Sequence, residues 1–221
     1  MNEFTIKKNK SYYEQAYHSI KKMIFDGIFE NGEFICETKI AQQFNTSRSP
    51  VREAIRTLEM EGLLIKEGRK FKVYEPTKED MQQIFECKQG LEFMTVKLAT
   101  ERASDKELNE IQQALKEVED KIKETDYQLS NDVILMNIKF HDLILKYSKN
   151  TRIKNQLDNL KSLVYFYRII TLSEKDRFRE IYEQHVEIFN FMKKRDAKRS
   201  AEMMFYHIQC DMDHVKMLIE K

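Results

Sequence analysis

Residues 37–74 read ETKIAQQFNTSRSPVREAIRTLEMEGLLIKEGRKFKVY, and the spacing inside this stretch decides the fold of the front of the chain. Ile40, Ala41 and Phe44 fall at helical intervals and predict a short helix over 38–44. Asn45 and Thr46 break it. Ser47 or Ser49 is suited to accept a hydrogen bond from a free backbone N–H and so open a second helix. Pro50 fits the first turn, where its missing N–H costs nothing. Val51, Ala54, Ile55, Leu58 and Leu63 supply an inward stripe, and Gly62 ends the helix. Two short helices across a tight turn predict a helix-turn-helix. Residues 63–66 and 71–74 then predict two strands, joined through Gly68, Arg69 and Lys70 as a hairpin with a basic tip.

The outward residues carry the chemistry. Arg48, Arg52 and Arg56 follow one another at steps of four on one helix face. Recognition helices set their N-terminal residues against base edges in the major groove, where an arginine bonds guanine O6 and N7 together or holds a phosphate. Arg69 and Lys70, at the tip of the hairpin, are placed to reach phosphates or the minor groove. A lone surface arginine is more often just a solvated charge; the constellation is what points to double-stranded DNA. Between residues 44 and 72 seven Lys or Arg stand against four Glu. So small an excess implies few phosphate contacts per protomer and a shallow salt dependence.

The run IAQQFNTSRSPVREAIRTLEMEGLL, residues 40–64, resembles the GntR family of bacterial transcription regulators. The resemblance implies a winged helix that binds a palindromic operator as a homodimer. It makes Arg48 and Arg52 the operator-reading residues and puts Ser47 and Ser49 on backbone phosphates. Some members carry an arginine in the first helix of the motif where this chain has Thr38. Thr38 or Lys39 is then left to a phosphate contact. The family's turn before the motif usually holds a proline where Asn31 stands here, and Asn31-Gly32 is itself a good turn pair.

Composition narrows the remainder. Among 221 residues there are five Gly and two Pro, far under the usual ~7% and ~5%. Long helices with short connections follow. Net charge is +1, so bulk charge names no partner. Cys36, Cys87 and Cys210 are far apart and unpaired in spacing, as reduced thiols in a cytoplasmic protein would be. There is no signal-peptide pattern and no apolar run of the ~20 residues needed to span a bilayer, which predicts a soluble protein without a membrane partner. Residues 1–10 are polar and basic, an expected loose arm. A helix is expected over 11–29, the winged domain over 11–74, a linker over 75–77, and an all-α domain over 78–221. In that domain Thr77 and Ser104 each precede an acid by three residues and open helices over 78–103 and 104–124. A break at 127–131 precedes four more helices, over 132–147, 151–171, 174–194 and 196–220. The expected fold class is mainly α: a winged helix-turn-helix with a small hairpin, then a six-helix bundle.

Three of the five histidines are placed to converge. His185 lies ten residues before Arg195 and His207 eleven after Asp196, so on antiparallel helices the two rings rise equally far from the turn. Asn137 and His141 are four apart on one face. Scattered histidines are more often hydrogen-bonded core or surface residues than ligands, but converging neutral imidazoles also hold zinc, nickel or manganese. Residues 78–216 are similar to the FCD-type ligand-binding domain of the FadR subfamily, on Ile138-Lys139-Phe140-His141, Lys149-Asn150, Gln184-His185 and Met204-Phe205-Tyr206-His207. That resemblance implies a divalent ion, zinc first, on Asn137, His141, His185 and His207. Asn137 stands where many members have Asp and brings no charge, so the ion would keep its positive charge and favour an anion. A small carboxylate effector is therefore expected, with Lys88, Tyr165 and Arg168 as further contacts. Lys88 and Glu92 are also four apart and suited to pair along their helix. Two other readings stand beside this one. In one, the same regulator has a structural or absent metal and a different ligand. In the other, the chain is a metalloenzyme, against which no general acid or base accompanies the histidines.

Overall fold

The computed structural model describes residues 11–125, 131–171 and 175–219. The expected arm over 1–10 and the break over 127–130 lie outside them, and Asn131 already opens a helix. The chain divides into two compact units after Pro76.

The first unit holds α1 (Tyr12–Phe25), β1 (Phe34–Ile35), α2 (Glu37–Gln43), α3 (Arg48–Met60), β2 (Leu64–Glu67) and β3 (Lys70–Val73). Ser11 caps α1: its hydroxyl accepts from the Glu14 N–H, and the Glu14 carboxylate accepts from the Ser11 N–H. Ala16, Ile20 and Ile24 form the buried face of α1, which packs on Val51, Ala54, Ile55 and Leu58 of α3. Tyr17 Oη and Lys21 Nζ both donate to the Glu61 carboxylate, at 2.6 and 2.7 Å, and tie the two helices at their rim. The first helix stops at Phe25, four residues short of the expected end, because Gly27 turns the chain at φ +70°. Between α2 and α3, Asn45 takes φ +48°, a left-handed conformation that its short polar side chain tolerates. Ser47 is the N-cap of α3, but its side chain makes no capping hydrogen bond. The side-chain cap expected there is absent, and the Ser47 hydroxyl lies exposed on the surface.

The hairpin pairs Glu67 with Lys70, which leaves Gly68 and Arg69 as a two-residue turn. Gly68 at φ +63° supplies the first turn residue of a geometry that matches the twist of the strands. β1 joins the free edge of β3, Phe34 opposite Lys72 and Ile35 opposite Phe71, for a sheet order β1-β3-β2. Two residues are too few to show strand alternation, so β1 left no trace in the sequence pattern.

The second unit is helical throughout: α4 (Lys78–Arg102), α5 (Asp105–Thr125), α6 (Asn131–Ser148), α7 (Thr151–Thr171), α8 (Lys175–Lys193) and α9 (Ala197–Ile219). Thr77 Oγ1 accepts from the Asp80 N–H, and Ser104 with Glu107 forms a reciprocal box. α4 packs on α9, α6 and α7, α5 packs on α6 and α8, and α8 packs on α9. α4 and α9 thus form the middle of the bundle, with Phe140, Ile144, Tyr167, Phe178, Met204 and Ile208 among the buried core. The turn between α8 and α9 carries Arg195 at φ +59°. Its guanidinium donates to the carbonyls of Thr100 and Ala103 and to the Asp105 carboxylate, which fastens this turn to the end of α4. No helix among the described residues is long and apolar enough to cross a membrane.

Leu58 is fully buried between α1 and α3. Leu58→Ala is expected to cost about 2–5 kcal/mol of stability through the cavity it leaves. Urea unfolding followed by circular dichroism measures this, and a loss below about 1 kcal/mol would mean that the α1–α3 contact is not a core.

Candidate functional site

On the first unit, the residues singled out for DNA lie on its surface. Ser47, Arg48, Ser49, Arg52 and Arg56 are exposed along α3, Arg69 and Lys70 are exposed at the hairpin tip, Lys39 is exposed on α2, and Thr38 is half-buried beside it. Arg52 is not simply solvated. Its Nε lies 3.2 Å from the carboxylate of Glu37 at the start of α2, a partner that sequence spacing did not suggest. Glu37 thereby orients the guanidinium from behind and leaves its two terminal nitrogens for other acceptors. Lys70 Nζ lies 5.5 Å from the centre of the Phe34 ring, so β1 supports the basic tip.

In the second unit, α6, α8 and α9 bring His141, His185 and His207 together. One ring nitrogen from each lies within 4.8 Å of the others, and all three rings are buried. His185 Nε2 and His207 Nε2 are 3.1 Å apart. His207 Nδ1 lies 2.7 Å from Gln184 Oε1, an oxygen that only accepts, so this nitrogen carries the proton. Phe140 stacks on His185 with ring centres 4.2 Å apart and closes one side of the cluster. Asn137 is buried one turn before His141 on the same face of α6. Burial drives the pKa of His185 and His207 well below the ordinary imidazole value; His207 and His141 push His185 further, and His141 and Lys88 push His207 further. Burial also lowers His141, against the pull of Glu92. All three are therefore neutral near pH 7, the form that binds metal.

A cavity of about 70 Å³ opens beside His141. Lys88, Tyr165 and Arg168 all line it, together with Glu92 and the apolar side chains Ile138, Leu145, Leu157 and Val164. Three of its charged groups are buried, Lys88 and Glu92 from α4 and Arg168 from α7, while Asp142, Asp158 and Lys161 line its exposed side. Lys88 and Glu92 do not form the solvent-facing helical pair suggested by their spacing. Both sit on the inward stripe of α4 with Met81, Phe85, Val96 and Ala99. Among the described residues Lys88 Nζ makes no hydrogen bond, nor does Glu92 Oε2. Burial, reinforced by Arg168, lowers the Lys88 ammonium to about 8 against the pull of Glu92. Burial opposes the Glu92 charge, but His141, Lys88 and Arg168 outweigh it and hold the carboxyl at about 2. Each unpaired buried polar group costs about 1–3 kcal/mol. Several around one cavity, beside three neutral imidazoles, fit a site built for a cation and an anion rather than a finished core. The donor set suits a divalent ion of the borderline class.

Glu92 was missed in the sequence because its spacing to Lys88 offered a simpler explanation. The usable signal was position: both charges fall on the buried apolar repeat of α4. Arg177 and Asp211, a buried pair at 2.6 Å on α8 and α9, were missed as well.

Residues 12–71 match the bacterial regulatory proteins of the gntR family, and residues 83–209 match the FCD domain. The chain belongs to the GntR family. It is a bacterial transcriptional regulator with a DNA-binding helix-turn-helix and an FCD domain, and its relatives are regulators rather than enzymes. It is 35% identical over 222 residues to the uncharacterized HTH-type transcriptional regulator YdhC of Bacillus subtilis, covering 100% of this chain and 98% of that protein. The gluconate operon transcriptional repressor of Bacillus licheniformis is 23% identical over 204 residues, covering 91% of this chain and 82% of that one. The solved structure of E. coli McbR/YncC shares the fold with a TM-score of 0.75 at 20% identity, covering 96% of this chain and 100% of that one.

The neutral imidazoles of this GntR protein make its stability depend on pH. In the unfolded chain His185 and His207 take up protons below about 6.5, while the folded chain resists them. Their contribution is complete above that pH and is lost as pH falls toward the lower folded values. Glu92 adds a further loss between its ordinary 4.5 and its folded value of about 2. In chelator-treated protein, Tm is expected to fall steadily from about pH 7 to about pH 5. A flat Tm across this range would show that the cluster accepts protons within the fold.

Proposed function

We propose that this regulator is a repressor that binds a palindromic operator as a homodimer, one α3 to each half-site. The exposed row of Arg48, Arg52 and Arg56 supports base and phosphate contact from α3, with Arg48 and Arg52 reading bases. Ser47, Ser49, Thr38, Lys39, Arg69 and Lys70 serve the phosphates. Sequence-specific and backbone contacts separate experimentally. Arg52→Ala is expected to lower affinity for the operator about 5–150-fold, from the ~1–3 kcal/mol of one bidentate base contact, with little change on random duplex. Lys70→Ala should weaken both duplexes alike and flatten the salt dependence. Fluorescence anisotropy at fixed salt measures both. Equal losses on operator and random DNA for Arg52→Ala would remove its base-reading role.

We infer further that the second unit senses a small carboxylate beside a divalent ion. The observation that carries this reading is the convergence of three buried neutral imidazoles, one of which, His141, lines a cavity that also holds the buried Lys88 ammonium, itself without a hydrogen bond among the described residues. His141, His185 and His207 would hold the ion with the amide oxygen of Asn137, and zinc, nickel and manganese all suit that donor set. When bound, the ion supplies positive charge and an attachment point for an anionic oxygen. Arg168 and Lys88 would take the remaining carboxylate oxygens, and Tyr165 would offer a hydroxyl. The gluconate operon repressor, named for a hydroxycarboxylate, supports both repression and this effector class. The effector must favour one conformation of the protein to change its grip on DNA. α4 carries Lys88 and follows the DNA-binding unit directly in the chain, so a shift of α4 is the simplest link.

Elemental mass spectrometry on untagged, chelator-free protein is expected to find about one zinc, nickel or manganese ion per chain, and His185→Ala should lose it. In the loaded protein, small carboxylates should raise Tm, and Arg168→Ala should cancel most of that rise. Metal-free protein that ignores added zinc and nickel yet responds to a ligand would overturn the metal reading and leave a metal-free sensor. Loaded protein indifferent to a broad carboxylate panel would overturn the effector class.

A further inference from the structure

We propose that Glu92 and Gln184 orient the imidazole cluster, holding the Nδ1 protons of His141 and His207 so that Nε2 of both rings serves a shared ion, and that Glu92 supplies from α4 the negative charge that Asn137 lacks on α6. The proposal rests on the reading of the cluster as a metal site.

The His207 side is the more direct. Gln184 Oε1 accepts at 2.7 Å from Nδ1, which fixes the neutral ring with its lone pair on Nε2. That same Nε2 lies 3.1 Å from Nε2 of His185. The lone pair therefore faces the middle of the cluster and not the solvent. On the His141 side, Glu92 Oε1 lies 3.2 Å from Nδ1, with both residues buried and the contact out of line for a full hydrogen bond. An ionised carboxylate accepts only, so the proton of a neutral ring belongs on the nitrogen beside it. Nε2 of His141, which has no hydrogen-bond partner among the described residues, is then left to ligate. Imidazoles in metal sites commonly donate their second N–H to a carboxylate or carbonyl in this way, and loss of such a partner costs about 10–100-fold in metal affinity.

The second acid near the cluster can be separated from this role. Asp211 Oδ2 lies 3.7 Å from His207 Nε2, but Asp211 Oδ1 takes the Arg177 guanidinium at 2.6 Å. Its charge is largely matched within the protein. Glu92 stands in no such hydrogen-bonded ion pair: among the described residues Oε2 makes no hydrogen bond, and Lys88 and Arg168 bear on it through charge. Of the two acids, Glu92 is the one set beside the Nδ1 of a ring proposed to ligate, with its charge shared among Lys88, Arg168 and a bound ion.

The test uses the full chain and zinc as the probe, with affinity measured by competition against a chromophoric chelator and folding checked by circular dichroism. Glu92→Gln is expected to bind zinc about 10–100-fold more weakly than wild type at unchanged helicity. Adding Asn137→Asp to Glu92→Gln should recover most of that loss, since it returns a carboxylate from α6. Gln184→Glu places a carboxylate on His207 Nδ1 and should tighten zinc binding, which keeps the proposal open to test should Glu92→Gln fail to fold. Nitrogen NMR of the zinc-free protein should find His207 protonated on Nδ1, and Gln184→Leu should mix the two tautomers. Unchanged zinc affinity in Glu92→Gln, beside a wild type that binds normally, overturns the role of Glu92 and leaves the metal reading intact. Unchanged or weaker binding in Gln184→Glu overturns the orienting role of Gln184. A wild type that binds no zinc, nickel or manganese brings down the metal reading and this proposal with it.

Discussion

A helix that lies in the middle of a bundle can bury charge only if something answers that charge. α4 meets this constraint at Lys88 and Glu92, which occupy its apolar stripe between Phe85 and Val96. The surrounding bundle is arranged about them. α7 brings Arg168, α6 brings His141, and α8 and α9 bring the other two imidazoles behind it. Had α4 been apolar along its whole inner face, the same six helices would close as an ordinary core. The charged pair instead leaves a cavity and unpaired polar atoms where a soluble domain would normally have neither.

The two units handle polar residues in opposite ways. In the DNA-binding unit the charges stay on the outside, and the interior of α1 and α3 is aliphatic. The residues proposed to meet DNA are held by neighbours on the surface, Arg52 by Glu37 and Lys70 by the Phe34 ring. In the helical unit the residues proposed to hold an ion and an anion are inside, screened from water, where each charge acts strongly on the next. A surface built this way meets a polyanion in high dielectric and gains specificity from geometry. An interior built this way suits a small ion, selected by charge and by donor type.

The sequence made much of this legible where periodicity or a dense motif was present. The helix-turn-helix from Ile40 to Leu64 could be read residue by residue, and the helix spans of the second unit follow from capping boxes and apolar repeats. Counting residues on either side of Arg195 sets His185 and His207 level, and His141 joined them through the family resemblance. What escaped had short range or depended on contact. β1 is two residues long and exists only because β3 offers an edge. Ser47 had the right identity for a side-chain cap but makes no such bond. Glu92 and Lys88 had the right spacing for a surface pair, and only packing reveals that this part of α4 has no access to solvent. Gln184 is half-buried, and nothing in a sequence distinguishes an amide that touches an imidazole from one that does not.

The Arg195 pin has a mechanical meaning. It fastens the α8–α9 turn to the carbonyls at the end of α4. His185 lies ten residues from it, a lever arm of roughly 15 Å along the helix. A tilt of about 4° about that pivot moves the rings by about 1 Å, several times the ~0.2 Å latitude of a metal–nitrogen bond. With an ion bound as proposed, the cluster would thus act as a vernier on the attitude of α8 and α9 against α4, since a rotation of a few degrees at the pin is large at the imidazoles.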